Sequence, residues 1–157
     1  WSQRDEPMHL RQVFSDFAPE VTGLLSRVTE VHLWGLFRHP VAAQWHEGGV
    51  ALLGDAAHPT LPFLAQGANM AMEDAWVLTR ELSRAEAISD GFAAYQGHRK
   101  DRTRRIVDAA SRNAAKYHLS SPPIRWAAHT GLRLAGRLAP QRVIAQYDWL
   151  YRYDVTA

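Results

Sequence analysis

No cysteine occurs in the 157 residues. Disulfide staples, thiolate metal sites and cysteine nucleophiles are excluded together. No apolar run approaches the roughly 20 residues of a membrane-crossing helix, so no membrane span is expected. The eight histidines follow neither His-Glu-x-x-His nor any other ligand spacing, and no metal site is expected. Gly-x-Ser-x-Gly and the Walker phosphate loop are missing as well. The start at Trp1 lacks both a methionine and the charged-then-apolar pattern of a leader. It reads as a chain whose natural N-terminus lies elsewhere. Lysine is scarce, with only Lys100 and Lys116, so arginine supplies nearly all of the positive charge.

What is present suits a water-soluble globular chain: 46% apolar and 22% charged residues with a net charge of +2. The length allows one domain with a real core, or a piece of something larger. The densest basic stretch, His98 to Arg105, is interrupted by Asp101 and falls on a helical pattern. Asp101 with Arg105, and Asp108 with Arg112, are i,i+4 pairs in the favourable order, which predicts a solvated, salt-bridged face. No aromatic stacking pattern is interleaved, so nucleic acid is not an expected partner.

Residues 10–27 read as a helix, with Ser15 or Asp16 as cap, Pro19 in a first turn and an apolar stripe from Val21 to Val28. Residues 31–37 alternate apolar and polar like a half-buried strand. Val50-Ala51-Leu52-Leu53 is a continuous apolar run between glycines, the pattern of a parallel strand covered on both faces. Helices are expected over 67–83, 90–117, 123–138 and 140–153, with Pro123 and Pro140 near first helical positions. Two or three strands followed by four helices make a lopsided chain, and the apolar strand wants sheet neighbours that this sequence does not supply.

The stretch from Gly54 to Ala75 carries most of the chemistry. A carboxylate at the C-terminal end of a parallel strand points into the crevice where open α/β sheets bind ligands. Asp55 there could accept hydrogen bonds from ligand hydroxyls, with Gly54 allowing close backbone approach; it could equally cap the following turn. Gly67-Ala68-Asn69 opens a helix whose first N–H groups form an anion-accepting end, or is simply an ordinary helix start. Pro59 and Pro62 stiffen the loop or serve as turn residues. His58 suits capping or packing better than general-base work.

The run Gly54-Asp55-Ala56-Ala57-His58-Pro59 through Gly67-Ala68-Asn69-Met70-Ala71-Met72-Glu73-Asp74-Ala75 resembles the second FAD motif of the single-component flavin-dependent aromatic hydroxylases, the group that includes salicylate hydroxylase. Trp34-Gly35-Leu36-Phe37-Arg38-His39-Pro40 with Trp45, Tyr95-x3-Arg99-x2-Arg102 and Asp148-Trp149-Leu150-Tyr151 extend the likeness over essentially the whole chain. The resemblance implies an α/β fold: the C-terminal portion of an FAD/NAD(P)-binding Rossmann-type flavoprotein monooxygenase, mostly helical here with two or three strands. Residues 1–45 would be a remnant of the substrate domain, 46–84 the return to the FAD domain, and 85–157 C-terminal helices.

By the same resemblance the parent is an FAD-dependent, NAD(P)H-consuming monooxygenase. It would use NADH or NADPH and O2 to hydroxylate a small, salicylate-like aromatic substrate through a C4a-hydroperoxyflavin. Gly54 and Asp55 would hold the ribityl chain, and Gly67, Ala68 and Asn69 would face the flavin pyrimidine edge. Pro62, seven residues after Asp55, would present its backbone carbonyl to the substrate as the catalytic-site contact. A cytoplasmic location and a homodimer are compatible with the family.

Two departures stand out. Ala65 occupies a place where many members carry glycine, which matters only if the backbone there has positive φ. Gly-x-Gly-x-x-Gly is absent, since Gly131-x4-Gly136 has the wrong spacing, and so is the middle Asp-Gly motif. The chain is therefore expected to be an inactive fragment that binds FAD weakly or undetectably. The alternatives are another flavin class (epoxidase, quinone-biosynthesis hydroxylase, isoprenoid reductase) or a non-catalytic helical interaction module. In the module, Trp126, Tyr147, Trp149, Tyr151 and Tyr153 would form the partner surface; otherwise these rings pack against the FAD domain or a second subunit.

Overall fold

The computed structural model describes residues 2–157. The chain divides into two compact units, the first ending at Phe37 and the second running Arg38–Ala157.

In the first unit, β1 (Ser2–Asp5) pairs antiparallel with β2 (Val31–Trp34), Ser2 opposite Trp34 and Asp5 opposite Val31. Two helices lie between them in sequence, α1 (Pro7–Val13) and α2 (Pro19–Leu25). The single helix expected over 10–27 is thus divided. A helix through this stretch would drive the Pro19 ring into the carbonyl four residues earlier, so Pro19 begins a helix instead of continuing one. Arg11 Nη2 donates to the carbonyls of Ser26 (3.1 Å) and Val28 (2.9 Å), tying α1 to the segment after α2. The strand expected over 31–37 stops at Trp34, and its alternation is not realised, because Leu33 and Trp34 are both exposed. Gly35 follows, with no side chain to pack and the Phe37 ring folded over it. Strand β1 was not anticipated; Ser2-Gln3-Arg4-Asp5 has no apolar alternation to reveal it.

In the second unit, β3 (His46–Glu47) and β4 (Val50–Ala51) form a tight antiparallel hairpin closed by Gly48-Gly49, with Gly48 at φ +55°. The Leu52 N–H continues the pairing to the Trp45 carbonyl at 2.7 Å. This corrects the expectation of a doubly covered parallel strand. The glycine turn folds the run back on its own predecessor, and Val50 is exposed. Two 3-10 turns follow, Gly54–Ala56 and Pro62–Leu64.

Five helices complete the unit: α3 (Gly67–Arg84), α4 (Ile88–Tyr117), α5 (Pro122–Leu138), α6 (Pro140–Ala145) and α7 (Asp148–Tyr151). The first three match the sequence expectation to within two residues. The last expected helix is split near Gln146. The Gln146 side-chain amide donates to the Val143 carbonyl (2.6 Å), and the Tyr147 N–H turns to Ile144 instead.

Helices α3 and α4 pack along each other, and each of the two core clusters takes residues from both. One cluster joins Leu64, Met70, Ile106, Val107, Ala110 and Leu150; the other joins Trp45, Ala57, Val77 and Tyr95. The basic stretch on α4 is not a uniformly solvated face, because Arg99 is fully buried. Asp101 pairs with Arg104 (3.5 Å) rather than Arg105, whose guanidinium lies over the Trp149 ring at 3.9 Å. Trp126 on α5 is exposed, whereas Tyr147 and Trp149 pack against the first cluster. Among the described residues no helix is long and apolar enough to cross a membrane.

Candidate functional site

The site is assembled at the end of the hairpin. Gly54 is buried at φ +60°, and a Cβ placed on it would stand 3.2 Å from the Ala71 Cβ. Glycine is therefore required twice, for the left-handed backbone and for the close approach of the turn to α3. The Gly54 N–H donates to Asp74 Oδ2 at 3.1 Å, which fixes the turn on the helix. The next residue, Asp55, projects outward and is exposed. No hydrogen bond or ion pair engages its carboxylate among the described residues, and no side chain caps the 3-10 turn. The turn-capping role open at the sequence level is thus not the one Asp55 has here.

Asp55 instead lies beside the start of α3: a Cβ on Gly67 would sit 3.9 Å from Asp55 Oδ1 and 3.7 Å from Thr60 Cγ2. At this helix end the buried Gln66 is N-cap without a side-chain cap bond, and the first intrahelical bond is Met70 N–H to the Gln66 carbonyl (2.9 Å). The N–H groups of Gly67, Ala68 and Asn69 have no intrahelical acceptor. The structure therefore brings Gly54, Asp55, Gly67, Ala68 and Asn69 together as one lip: a free carboxylate next to an open anion-accepting helix end.

Pro62 opens the second 3-10 turn with its ring exposed, and its carbonyl accepts the Ala65 N–H at 3.0 Å. Ala65 then adopts φ +52°, ψ 39°, the left-handed conformation. The condition under which alanine matters at this position is met. Left-handed backbone costs a residue with a Cβ about 1–2 kcal/mol, and the freer unfolded chain of glycine offsets about 0.4–1 kcal/mol of that, so Ala65→Gly is expected to raise stability by about 0.5–1 kcal/mol. Urea unfolding of the two proteins checks this; a lower midpoint for the glycine variant would contradict it.

Beneath the lip lies a buried ionic network that sequence reading did not foresee. Asp74 receives His58 Nε2 (2.5 Å) and Arg99 Nε (2.7 Å) besides Gly54, and all three side chains are fully buried. Arg99 Nη1 stands 2.7 Å from Glu73 Oε2, and Arg102 grips Glu73 with two bonds of 2.8 Å. Burial alone would raise the Asp74 pKa. Hydrogen bonds from His58 and Arg99, with their charges, outweigh it and hold the carboxyl below the usual range. Burial would likewise lower Arg99, but the hydrogen bond to Asp74 and the charges of Glu73 and Asp74 keep it above its ordinary value. Burial, assisted by the Asp74 charge, pushes the Tyr95 phenol up, and its hydroxyl donates to the Leu52 carbonyl at 3.2 Å. His58 is therefore a packed, hydrogen-bonded structural residue, as its sequence context suggested.

Glu73 and Asp74 lie in the early turns of α3, where the helix macrodipole favours acids and gives them a local reason to be there. Their true partners, Arg99 and Arg102, lie one helix later. The signal available was the pairing of Glu-Asp on α3 with Arg-x2-Arg on α4, two patterns that only the α3–α4 packing joins.

The FAD binding domain family matches residues 4–110. The 3-amino-4-hydroxybenzoate 2-monooxygenase PtmB3 of Streptomyces platensis is 32% identical over 156 residues, which are 98% of this chain and 38% of that protein. A structure of Klebsiella pneumoniae HpxO complexed with FAD and uric acid superposes with a TM-score of 0.71 at 29% identity, covering 85% of this chain and 36% of that one. A salicylate hydroxylase substrate complex gives a TM-score of 0.73 at 25% identity over 99% of this chain and 37% of that one. The chain thus spans well under half the length of the relatives it matches. The buried Gly54 turn, the lip it presents and the family match over most of the sequence lead to one conclusion: the chain belongs to the FAD binding domain family.

Proposed function

We propose that these residues form the flavin-ring side of an FAD-dependent, NAD(P)H-consuming monooxygenase that uses O2 to hydroxylate a small aromatic, salicylate-like substrate. The observation that carries the reading is the unengaged Asp55 carboxylate beside the open N–H groups of Gly67, Ala68 and Asn69. That donor and acceptor set fits FAD. Asp55 accepts from hydroxyls of the ribityl chain, the Gly54 turn seated on α3 presents it, and the helix end receives the electron-rich edge of the ring. When bound, the flavin supplies electron transfer and oxygen activation. The protein supplies orientation and electrostatics. Fixed N–H dipoles at the start of α3 favour negative charge at the ring edge without reorganising, and the exposed Pro62 turn offers a carbonyl lone pair to orient the aromatic substrate. Residues 1–45 serve the substrate domain, 46–84 return the chain to the flavin domain, and 85–157 buttress it.

The chain by itself holds FAD weakly, because no Gly-x-Gly-x-x-Gly turn is present to take the pyrophosphate. Asp55→Ala is expected to leave the melting temperature unchanged, since Asp55 has no structural partner. It should weaken flavin binding about tenfold or more, the scale of a charged hydrogen bond. Fluorescence titration with FAD alongside thermal melts tests both halves. Equal affinities would remove Asp55 from the site, and tight stoichiometric flavin with NAD(P)H oxidation would overturn the weak-binding expectation.

A further inference from the structure

We infer that the C-terminal segment 148–153 is a positioning element for the flavin-facing loop, acting through Leu150 from below and Arg102 from the side. The inference rests on the flavin reading of the loop and extends it to residues beyond the family match, which ends at residue 110.

Two independent contacts carry it. Leu150 is buried in the cluster that contains Leu64 and Met70. Leu64 ends the Pro62 turn and Met70 lies in the first turn of α3, so one leucine of the last helix supports both sides of the lip. Second, the Arg102 guanidinium donates to the carbonyls of Trp149 (3.2 Å) and Leu150 (3.3 Å) and lies 3.6 Å from the Tyr153 ring centroid. Those carbonyls belong to the last turn of α7, which has no intrahelical donors for them. The same guanidinium holds Glu73 by two bonds. Glu73 pairs with Arg99, Arg99 with Asp74, and Asp74 with Gly54 and His58. A continuous path of charged hydrogen bonds, with the Arg99–Glu73 ion pair as its middle link, therefore runs from the end of α7 to the turn that presents Asp55.

The surface agrees with this path. An open groove of about 370 Å³ has Gln66 and Asn69 on one wall and Leu150, Tyr151 and Tyr153 on the other. The helix end read as the flavin contact and the C-terminal segment are thus two sides of one cleft. Leu150 and Arg102 touch neither substrate nor flavin in this reading; they act through the loop.

The test is amide hydrogen exchange, read by mass spectrometry on the full 157-residue chain, for wild type, Leu150→Ala, Arg102→Gln and Leu150→Met. Exchange in residues 61–70 is expected to quicken at least about tenfold in the first two variants while residues 78–95 keep their rates, as a local opening requires. Leu150→Met, which conserves volume, should restore the wild-type pattern. The Arg102 side chain keeps 11% exposure and lies outside the apolar clusters, so its variant reports on the path even if Leu150→Ala fails to fold. Unchanged rates at 61–70, or equal acceleration everywhere, would overturn the coupling. Repeating the measurement with excess FAD separates the two readings. Protection of 54–69 by FAD in wild type that is lost in Arg102→Gln supports positioning, and equal protection in both overturns it. No protection in wild type at an FAD concentration that saturates its fluorescence titration, with the local coupling intact, removes the flavin reading and with it the positioning role.

Discussion

Asp74→Ala is expected to destabilise the chain by about 3–5 kcal/mol, the scale for breaking a buried ion pair by removing one partner. The cost comes less from lost attraction than from what is left behind. Arg99 stays fully buried with Glu73 and the Met70 carbonyl as its remaining partners, His58 loses the acceptor of its Nε2, and the Gly54 N–H loses its bond. Each is a desolvated polar group that water met in the unfolded chain. Equilibrium urea unfolding gives the magnitude. A loss below about 1 kcal/mol, the range of exposed pairs, would mean that the network is open to water.

The same carboxyl sets a pH dependence whose sign follows from its lowered pKa. Near pH 4 and below, the unfolded chain protonates Asp74 at its ordinary value of 3.8 while the folded chain still holds it ionised. The unfolded state then binds more protons, and stability rises with pH through that window. The Asp74 contribution is fully present above the ordinary value and is lost as pH falls through the lowered one. Asp5 and Asp154 are lowered too, by hydrogen bonds from His9 and Thr156, so the acid limb of wild type is not Asp74 alone. Asp74→Asn isolates its share: the variant should show a shallower loss of stability between about pH 5 and pH 2. Parallel curves for the two proteins would contradict the assignment.

Much of this architecture was legible because its causes are local. Helices α3, α4 and α5 follow from apolar spacing and from Pro122–Pro123 at a first turn, and the lip follows from Gly54-Asp55 and Gly67-Ala68-Asn69. What could not be read depends on partners distant in sequence. The run 50–53 looks like a sheet-centre strand because periodicity reports apolar content, not which strand lies alongside; here β3, through a glycine turn, is its neighbour. Arg99 looked like one more surface arginine because the charge pattern of α4 cannot say which side meets α3. Ala65 was flagged as a departure from glycine, but its cost became definite only with φ at +52°. The free carboxylate of Asp55 is the converse case. Sequence left cap and ligand contact open, and the geometry disfavours the cap.

Trp45→Ala is the second large effect, also about 3–5 kcal/mol, the range for removing a buried tryptophan. Trp45 has no exposed surface, and its ring centroid lies 5.3 Å from that of His58 and 5.5 Å from that of Tyr95. Its indole N–H donates to the Ala42 carbonyl at 3.0 Å, so the residue is satisfied at its polar end as well as packed. Its backbone N–H bonds Gln96 Oε1 on α4 at 2.7 Å, anchoring the hairpin independently of the side chain. The variant should therefore keep the hairpin but open a cavity between His58 and Tyr95. Ala57 shares this cluster, and its carbonyl accepts the Ala42 N–H at 2.8 Å. The cavity thus undermines the turn that carries Gly54 and Asp55. Flavin affinity should fall together with stability in Trp45→Ala, in contrast to Asp55→Ala, where affinity falls alone. Trp45→Phe retains most of the apolar burial but strands the Ala42 carbonyl, an intermediate loss of about 1–3 kcal/mol. Urea unfolding and FAD titration of the three variants decide the matter. Wild-type flavin affinity in a destabilised Trp45→Ala would mean that the lip is held by the Asp74 network alone.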